Sequence, residues 1–585
     1  MTNPKPKKKT SARHADSARI ARCMTQPENM KTKDYVCGVE RLNGNDAWAV
    51  FKACAAGNMP KIQKLLEKEP RLVNSQFWYQ LPIHFAVRDG NAELVKLLLD
   101  HGADAGQSTF TYNSWPKLLK IAEERGYRDV KALLVRRLKK DFHYSPDFEL
   151  LKDAIISRSS RKVGAVLRKH PHLVTASDAL GNNALHWSVI TRQLKLIEKF
   201  VDLGTPLEAQ RANGQTPLLV ATSGGYDYWH RDAWRPGHPS LRDAAVMVGC
   251  LLTKGAKYTI STAAAAAVGD QERVEEILAK DPEQAVRINQ ARISPLSYAA
   301  GEGHTNVVRL LLEHGANPNI AEEGAPDGFA LFSACRGNHL ETAGLLLEHG
   351  ANPNAGADSS GCCLTICEAY HGTRAEPLQS LLRAYGAFTP PYDMDDSELK
   401  QALRDNHPAI NHEEFLGNVM SKCDEELLEL YLAFDPLMPK KMGFWGDVVD
   451  AGFTKLIHKL LDHGLDVNRR DWVGRTFLHG CSESFDTTIA AVLLDAGADI
   501  NARDVEFRET PLAAAIRADS SCLDEDRSEL EENRMRMVRF LLNRGAATNL
   551  PDDETWATPF AQARKRGLVE IEELLLKHGA ASGGE

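Results

Sequence analysis

The sequence predicts an all-α solenoid, a stack of helix pairs joined by short hairpin tips. One observation behind this is a repeated segment, because the run LLLEHGANPN at 310–319 occurs again at 345–354, 35 residues later. The other is the spacing of the glycines that follow leucine-rich runs: Gly315 to Gly350 is 35 residues, and Gly464 to Gly497 is 33. Self-similarity at a fixed period of this length is the signature of a repeat architecture. Roughly fifteen units of about 33 residues are expected.

Each unit has the same order of elements, which the residues after position 80 illustrate. The opening segment 81–87 is apolar and has a proline second, where the missing N–H of proline costs a helix nothing. The turn 89–91 precedes a second run, 93–99, whose apolar residues recur at helical spacing. Gly102 then fits the left-handed position that ends a helix. The pattern therefore predicts a first helix, a turn, a second helix and a connection.

These features resemble the ankyrin repeat, whose signature opens with Thr-Pro-Leu-His and closes with leucines before Gly-Ala. The matching tetrads begin at Leu81, Asn183, Thr216, Ser294, Thr476, Thr510 and Thr558. Three units replace the glycine ending with a proline-containing one, at 65–74, 167–174 and 278–285. The resemblance covers most of the chain. It implies an ankyrin-repeat α-solenoid that binds partner proteins through a concave face formed by tips and first helices.

Departures from the repeat suggest how the chain is divided. We expect a basic, disordered tail at 1–45, a repeat stack at 46–388 with an inserted loop at 224–240, a linker with degenerate repeats at 389–442, and C-terminal repeats at 443–585 with an acidic insertion at 519–534. The linker assignment follows from Pro390-Pro391 and from a helix pair at 413–434 that lacks a glycine ending. A hinge near residue 390 is an alternative to one rigid arc.

Composition favours a cytoplasmic location. No apolar run approaches the length of about 18 residues that a membrane span requires. The 11 cysteines, an odd number, mostly lie at helical positions that look buried, which is typical of a reducing compartment. The formal net charge of −8 is mild and argues against nucleic acid as a partner.

The alternative function, a tether to nucleic acid or to a membrane surface, depends on the N-terminal tail. The first 35 residues contain nine Lys or Arg and three Asp or Glu. A solvated tail is the simpler interpretation, but such a segment could also tether the chain to nucleic acid or to a membrane surface.

The sequence gives little sign of catalysis, of a cofactor or of a metal site. Cys362, Cys363, Cys367 and His371 look like metal ligands, but zinc sites usually set two short ligand pairs apart across a loop, and that spacing is absent. No phosphate-binding glycine loop or nucleophile elbow is present in the sequence. An enzyme formed by the degenerate region 389–442 is the least favoured alternative. The sequence therefore predicts no enzyme, no cofactor, no metal and no small-molecule substrate.

Aromatic residues at tips and in the inserted loop are the candidate partner-binding residues. Tryptophan and tyrosine dominate binding hot spots, and rigid aromatic side chains lose little entropy when they engage a partner. The candidates are Phe77, Trp78 and Tyr79 in one tip, Tyr226, Tyr228, Trp229 and Trp234 in the inserted loop, and Trp472 and Trp556 in two later tips. The tip at 211–214 is also expected to vary and to line the concave face. The identity of the partner protein cannot be predicted, because repeat surfaces share a scaffold and not a ligand.

Overall fold

The computed structural model describes residues 21, 23–37, 40–78, 80–106, 114–222, 244–258, 261–357, 361–411, 415–441, 453–518, 527–551 and 553–581. It divides into two compact units. The first, here called the N-terminal unit, contains Asp34–Asn43 and Leu65–Phe388. The second, the C-terminal unit, contains the described residues up to Lys33, Gly44–Lys64 and the described residues from Thr389 onward.

The N-terminal unit is built from helix pairs in a regular order, as the sequence predicts. Its first helices are Pro82–Arg88, Trp115–Glu124, Phe148–Ile156, Ala184–Ile190, Pro217–Ala221, Thr262–Val268, Pro295–Glu302, Ala330–Gly337 and Cys363–His371. The corresponding second helices are Ala92–Asp100, Arg128–Phe142, Ser160–Lys169, Leu194–Asp202, Ala244–Thr253, Gln271–Lys280, Thr305–Glu313, Leu340–Glu348 and Glu376–Ala384.

The C-terminal unit is less regular at its start. Its helices before residue 450 are Gly44–Ala55, Asp396–Asp405, Phe415–Ser421, Glu425–Phe434 and Met438–Lys441, and Met59–Lys68 crosses the boundary between the units. Further along, the helices are Phe453–Asp462, Phe477–Glu483, Thr487–Asp495, Pro511–Arg517, Arg527–Asn543, Pro559–Arg566 and Val569–Lys577. The acidic insertion thus contributes to a long helix from Arg527, while residues 519–526 lie outside the described part.

First helices begin where the tetrads place a capping side chain before a proline. The Ser294 hydroxyl accepts a hydrogen bond from the Ser297 backbone N–H at 3.1 Å, and the Thr558 hydroxyl accepts one from the Ala561 N–H at 3.1 Å. Each cap satisfies a backbone donor that the first turn of a helix leaves without a partner.

Second helices end in the two ways that the sequence predicts. Gly350 has φ +82°, the left-handed conformation that glycine adopts at little cost, and its N–H donates to Leu347 O at 3.0 Å. The proline-containing endings instead form 3₁₀ turns, at Pro70–Asn74, Pro171–Val174 and Pro282–Ala285.

The hydrophobic core lies between the stacked helices of successive repeats. In the second helix Thr305–Glu313, the buried residues Val307, Val308, Leu311 and Leu312 lie on one face. The alanines of the run 263–267 are buried in a first helix, where close approach of neighbouring helices favours small side chains. Each pair therefore obtains much of its interior from its neighbours.

Strands are short and lie at tips. Tyr35–Cys37 pairs antiparallel with Glu40–Leu42, and Gly356–Ala357 pairs antiparallel with Gly361–Cys362. The first hairpin and the 3₁₀ turn Glu28–Met30 fall in the segment expected to be a disordered tail. For residues 23–37 and 40–45 that expectation was wrong, because apolar side chains such as Met30 and Tyr35 are buried. No helix among the described residues has the length and apolar character needed to span a membrane.

Candidate partner-binding surface

The tip at residues 75–80, here called the Trp78 tip, is a tight hairpin. Phe77 and Gln80 exchange backbone hydrogen bonds, with Phe77 N–H donating to Gln80 O at 3.1 Å and Gln80 N–H donating to Phe77 O at 2.9 Å. The Phe77 side chain is buried, so this predicted contact residue supports the tip from inside. Tyr79 lies outside the described residues.

Trp78 points into solvent at the end of this hairpin. Its side chain is 68% exposed, the largest fraction among the large apolar residues that the structure describes. Its backbone has φ +46°, a left-handed conformation that side chains with a Cβ adopt at an energetic cost. A strained backbone that presents an exposed indole is unfavourable for the free protein and is typical of a recognition site.

The hairpin at residues 35–42 packs beside the Trp78 tip within the same unit. The Tyr35 hydroxyl donates to Gln76 O at 2.8 Å, and the Gln76 N–H donates to Cys37 Sγ at 2.8 Å. Burial raises the pKa of the Cys37 thiol to about 11, which the Gln76 hydrogen bond only partly offsets. These part-buried hydrogen bonds join the Trp78 tip to the hairpin at residues 35–42.

Other tips of the N-terminal unit face one another. A Cβ added to Gly106 would overlap with Ala212 Cβ, and one added to Gly214 would lie 2.7 Å from the Gln290 side chain. Arg211 is buried, and its Nε donates to Asn213 Oδ1 at 3.0 Å. The expectation that residues 211–214 vary on an open concave face was therefore wrong, because these residues are packed against neighbouring tips.

Trp472 lies in a tip of the C-terminal unit at residues 471–475, here called the Asp471 tip. The Asp471 carboxylate accepts hydrogen bonds from Val473 N–H at 2.9 Å and from Arg475 N–H at 2.8 Å. Gly474 N–H donates to Asp471 O at 3.0 Å, which closes the turn. The Trp472 side chain is half-buried beside this turn. It is therefore less available to a partner than Trp78.

Trp556 is also half-buried, at the start of the last described repeat. Its carbonyl accepts a hydrogen bond from Gln562 Nε2 at 3.0 Å. The four aromatic candidates of the inserted loop, Tyr226, Tyr228, Trp229 and Trp234, lie outside the described residues, so their role stays a prediction. The same holds for the basic residues of the tail before position 21.

The cysteines singled out by the sequence are engaged with the backbone. Cys363 Sγ donates to Ala355 O at 3.2 Å, and His371 Nε2 donates to Arg336 O at 2.8 Å. Cys335, Cys363 and Cys367 are fully buried, and burial together with the neighbouring thiols raises the Cys335 pKa. Within the described ranges, no group of three or more His, Cys, Asp or Glu residues is arranged to hold a metal ion.

The degenerate region 389–442 pairs its ionisable groups at the surface. Lys400 Nζ lies 2.7 Å from Asp424 Oδ2 and 2.8 Å from Glu426 Oε2. The hydrogen bond to Asp424 raises the Lys400 pKa, and Lys400 in turn lowers the pKa of Asp424. Both shifts stabilise the charged forms, which is the opposite of what a general acid or base at neutral pH requires.

Two buried carboxylates are absent from the sequence predictions. Glu322 and Glu509 are fully buried beside the starts of first helices, and burial raises the pKa of each. The available signal was an acidic residue close to a tetrad or to the following tip, as in Glu509-Thr510-Pro511. Both carboxylates are hydrogen-bonded where neighbouring repeats meet, and neither is accessible to solvent.

Comparison with known proteins supports this architecture. The sequence model of the family described as "Ankyrin repeats (3 copies)" matches residues 50–144 and 262–357. A protein of Rickettsia bellii that is named as an ankyrin repeat protein is 33% identical over 125 residues, which are 21% of this chain and 33% of that protein. Mouse palmitoyltransferase ZDHHC13 is 26% identical over 144 residues, or 24% of this chain and 22% of the mouse protein.

A longer match involves the E3 ubiquitin-protein ligase KEG of Arabidopsis thaliana. It is 23% identical over 304 residues, which are 50% of this chain and 18% of the ligase. This chain thus spans a third or less of the length of each of these relatives. The matched segments, the stacked helix pairs and the capped tetrads agree, and the chain contains ankyrin repeats at residues 50–144 and 262–357.

Proposed function

We propose that this chain is a non-catalytic scaffold or adaptor that binds a partner protein through the Trp78 tip. The single observation that carries the proposal is Trp78 itself, 68% exposed on a left-handed backbone. Tryptophan is among the residues most enriched at binding hot spots. The Trp78 indole is therefore expected to insert into an apolar pocket of the partner.

The surroundings of Trp78 support its role as a preorganised anchor. Phe77 and Tyr35 are buried beneath the tip, so the indole is presented from a rigid base. A backbone held in one conformation loses less conformational entropy on binding than a mobile one. The buried tip at 211–214 lacks this accessibility, which favours the edge of the stack over its interior as the contact site.

A reducing cytoplasmic compartment fits the proposal. Cys335, Cys363 and Cys367 are reduced thiols that lie close together in one core. Adjacent thiols persist where the cell keeps cysteines reduced.

The proposal is tested by affinity capture from native lysate with the full chain. We expect Trp78→Ala to lose a subset of captured proteins that the wild-type chain retains, with a loss of at least tenfold in recovered amount, because removing a central aromatic anchor costs about 2 kcal/mol or more. Quantitative mass spectrometry of the captured proteins provides the measurement.

The matched control is Leu340→Ala, which removes another exposed apolar side chain, at the start of a second helix. This variant is expected to capture the same proteins as the wild-type chain. Equal recovery with Trp78→Ala and with Leu340→Ala, both folded by circular dichroism, would contradict the proposal.

A further inference from the structure

The N-terminal segment at residues 23–30, here called the Met24 segment, lies against the Asp471 tip of the C-terminal unit. Thr25 N–H donates to Asp471 O at 3.3 Å. A Cβ added to Gly474 would be 3.6 Å from Cys23 Cβ, so the small Cys23 side chain faces the glycine at ordinary van der Waals distance. The backbone of residues 24–27 forms neither helix nor strand, and Pro27 has the extended angles φ −60° and ψ 146°.

Buried apolar side chains fix the Met24 segment to the C-terminal unit. Met24 and Met30 are buried, although both belong to the stretch that the sequence assigns to a solvated tail. The 3₁₀ turn that contains Met30 packs against the helix Gly44–Ala55, and Gln26 Nε2 donates to Asn45 Oδ1 at 3.0 Å. The Met24 segment therefore has an anchored end at Met30 and an extended end on the tip.

A matching tip in the N-terminal unit has the same backbone turn. There, Gly181 N–H donates to Asp178 O at 3.0 Å, as Gly474 N–H does to Asp471 O. The Ser177 hydroxyl lies 3.1 Å from Asp178 O, but its single hydrogen is donated more closely to Phe142 O at 2.5 Å. In the Asp471 tip the second donor is Thr25 N–H, from a segment more than 400 residues away in sequence. The Asp471 tip is thus a turn whose backbone acceptor also takes a hydrogen bond from a separate segment.

We propose that the Asp471 tip is a docking surface for an extended peptide, and that the chain's own Met24 segment occupies it until a partner peptide displaces it. This site is built from other residues than the Trp78 tip and does not depend on the role of Trp78. Recognition combines a backbone hydrogen bond with side chains of suitable size, as in other modes of extended-peptide binding.

The bound segment defines the chemistry of the partner peptide. It needs a small side chain opposite Gly474, where Cys23 lies, then a long unbranched apolar side chain like that of Met24, and then a free backbone N–H like that of Thr25. Docking through the backbone tolerates variation elsewhere in the peptide. The tethered segment competes at an effective concentration that reaches the millimolar range for short linkers, so a partner peptide is expected to bind weakly while the segment is docked.

The test measures binding of a fluorescent peptide with the sequence of residues 21–33 to three variants and the unaltered form of the full-length chain. Met24→Asp places a charged side chain where the buried Met24 side chain lies. Thr25→Pro removes the N–H that donates to Asp471 O. Each substitution should release the tethered segment, so that the added wild-type peptide binds at least tenfold more tightly than to the unaltered chain. Lys33→Asp, at an exposed position next to the segment, is the control and should bind like the unaltered chain.

Location is checked with a photoreactive methionine analogue at the Met24 position of the peptide. Crosslinks to residues 471–475 are expected in Met24→Asp and in Thr25→Pro. If neither of these variants binds the peptide more tightly than the unaltered chain, or if the crosslinks map elsewhere, the proposal is wrong and the segment is a permanent part of the fold. A concentration-dependent dimer of the unaltered chain that Met24→Asp abolishes would also overturn it, because the segment would then dock between copies.

Discussion

In each unit a glutamate is buried where two neighbouring repeats meet, and the two glutamates have different hydrogen-bond partners. These two contact regions are here called the first joint, around Glu322, and the second joint, around Glu509. In the N-terminal unit, the Glu322 carboxylate accepts hydrogen bonds from Ser294 N–H at 3.1 Å, from the Ser294 hydroxyl at 2.7 Å and from the Ser297 hydroxyl at 2.6 Å. In the C-terminal unit, Arg517 Nε donates to both carboxylate oxygens of Glu509, at 2.8 and 2.9 Å. Neutral hydroxyls satisfy one carboxylate, and a guanidinium satisfies the other.

The two joints also differ in the last residue of the preceding tetrad. Where it is histidine, its Nε2 reaches the backbone of the next tip, as His479 does at Glu509 O (3.3 Å) and His186 does at Gln215 O (3.0 Å). Ser297 is too short for this reach, and the Glu322 side chain extends back to it instead. The side chain that links two repeats can thus come from the earlier repeat or from the later one, provided that the buried polar groups have hydrogen-bond partners.

The two solutions have different electrostatic consequences. Burial raises the pKa of Glu322 to about 7, and hydrogen bonds from Ser297 and Ser294 oppose the shift. Burial also raises the pKa of Glu509, but there Arg517 opposes it with a full charge. Burial alone would lower the Arg517 pKa, yet Glu509 and Glu483 raise it on balance. Both joints are therefore sensitive to pH, and the second also depends on its ion pairs.

The largest effect is expected from Arg517→Met, which breaks the charged joint. Arg517 contacts Glu509 and Glu483 and lies 4.0 Å above the Phe507 ring, so its loss leaves two carboxylates without their shared cation. Removing one partner of a buried ion pair costs about 3–5 kcal/mol. Urea unfolding monitored by hydrogen exchange in the C-terminal unit measures the change.

Arg544→Ala is the control for that prediction, since Arg544 pairs with Asp495 at the surface. An exposed pair contributes about 0–1 kcal/mol, so its loss should change little. Equal destabilisation by the two substitutions would show that the Glu509 joint does not depend on its buried cation.

A smaller, pH-dependent effect is expected from Glu322→Gln. Because folding raises this pKa from 4.5 to about 7, the contribution of Glu322 to stability is fully present below pH 4.5 and is lost as pH rises through 7. The free energy of unfolding of the N-terminal unit should therefore fall by about 2–3 kcal/mol from pH 5 to pH 8 on account of this group. The substitution should remove that decrease.

Paired urea titrations at pH 5 and pH 8 measure the decrease. The amide nitrogen that Glu322→Gln introduces cannot accept from Ser294 N–H, so some stability is expected to be lost at pH 5 even though the slope disappears. The neighbouring ion pair of Arg292 with Glu323, at 3.2 Å, is left intact by this change. An unchanged slope in the variant would assign the pH dependence to other groups.

The regular part of this fold was predictable because its signals are local. Apolar spacing, a cap before proline and glycine after leucines each depend on a few neighbouring residues, and together they located helices such as Pro295–Glu302 and Thr305–Glu313. The side-chain contacts in the two joints were not predictable, because Glu322 contacts Ser294 only when two repeats stack. The same applies to the Met24 segment, whose contact with Asp471 joins distant parts of the sequence.

The candidate surface was predicted only in part. Aromatic composition pointed to Phe77 and Trp78 alike, but a local pattern does not distinguish the residue that supports a tip from the one that points outward. Phe77 is paired with Gln80 and buried, whereas Trp78 lies in the turn itself, on a left-handed backbone, and is exposed. The tertiary arrangement decided which of them remains accessible.

The smallest effect should be the same in both units, because an asparagine side chain links successive repeats in each. Asn319 Nδ2 donates to Gly350 O at 2.8 Å and its Oδ1 accepts from Asn352 N–H at 2.7 Å, while Asn468 makes the corresponding bonds to Gly497 O and from Asp499 N–H at 2.9 and 2.7 Å. These links are exposed or part-buried, so replacing either asparagine by alanine should cost about 1 kcal/mol in its own unit. Hydrogen exchange in urea measures both losses. A difference well above about 1 kcal/mol between them would mean that the units differ in their repeat-to-repeat links as well as in their buried joints.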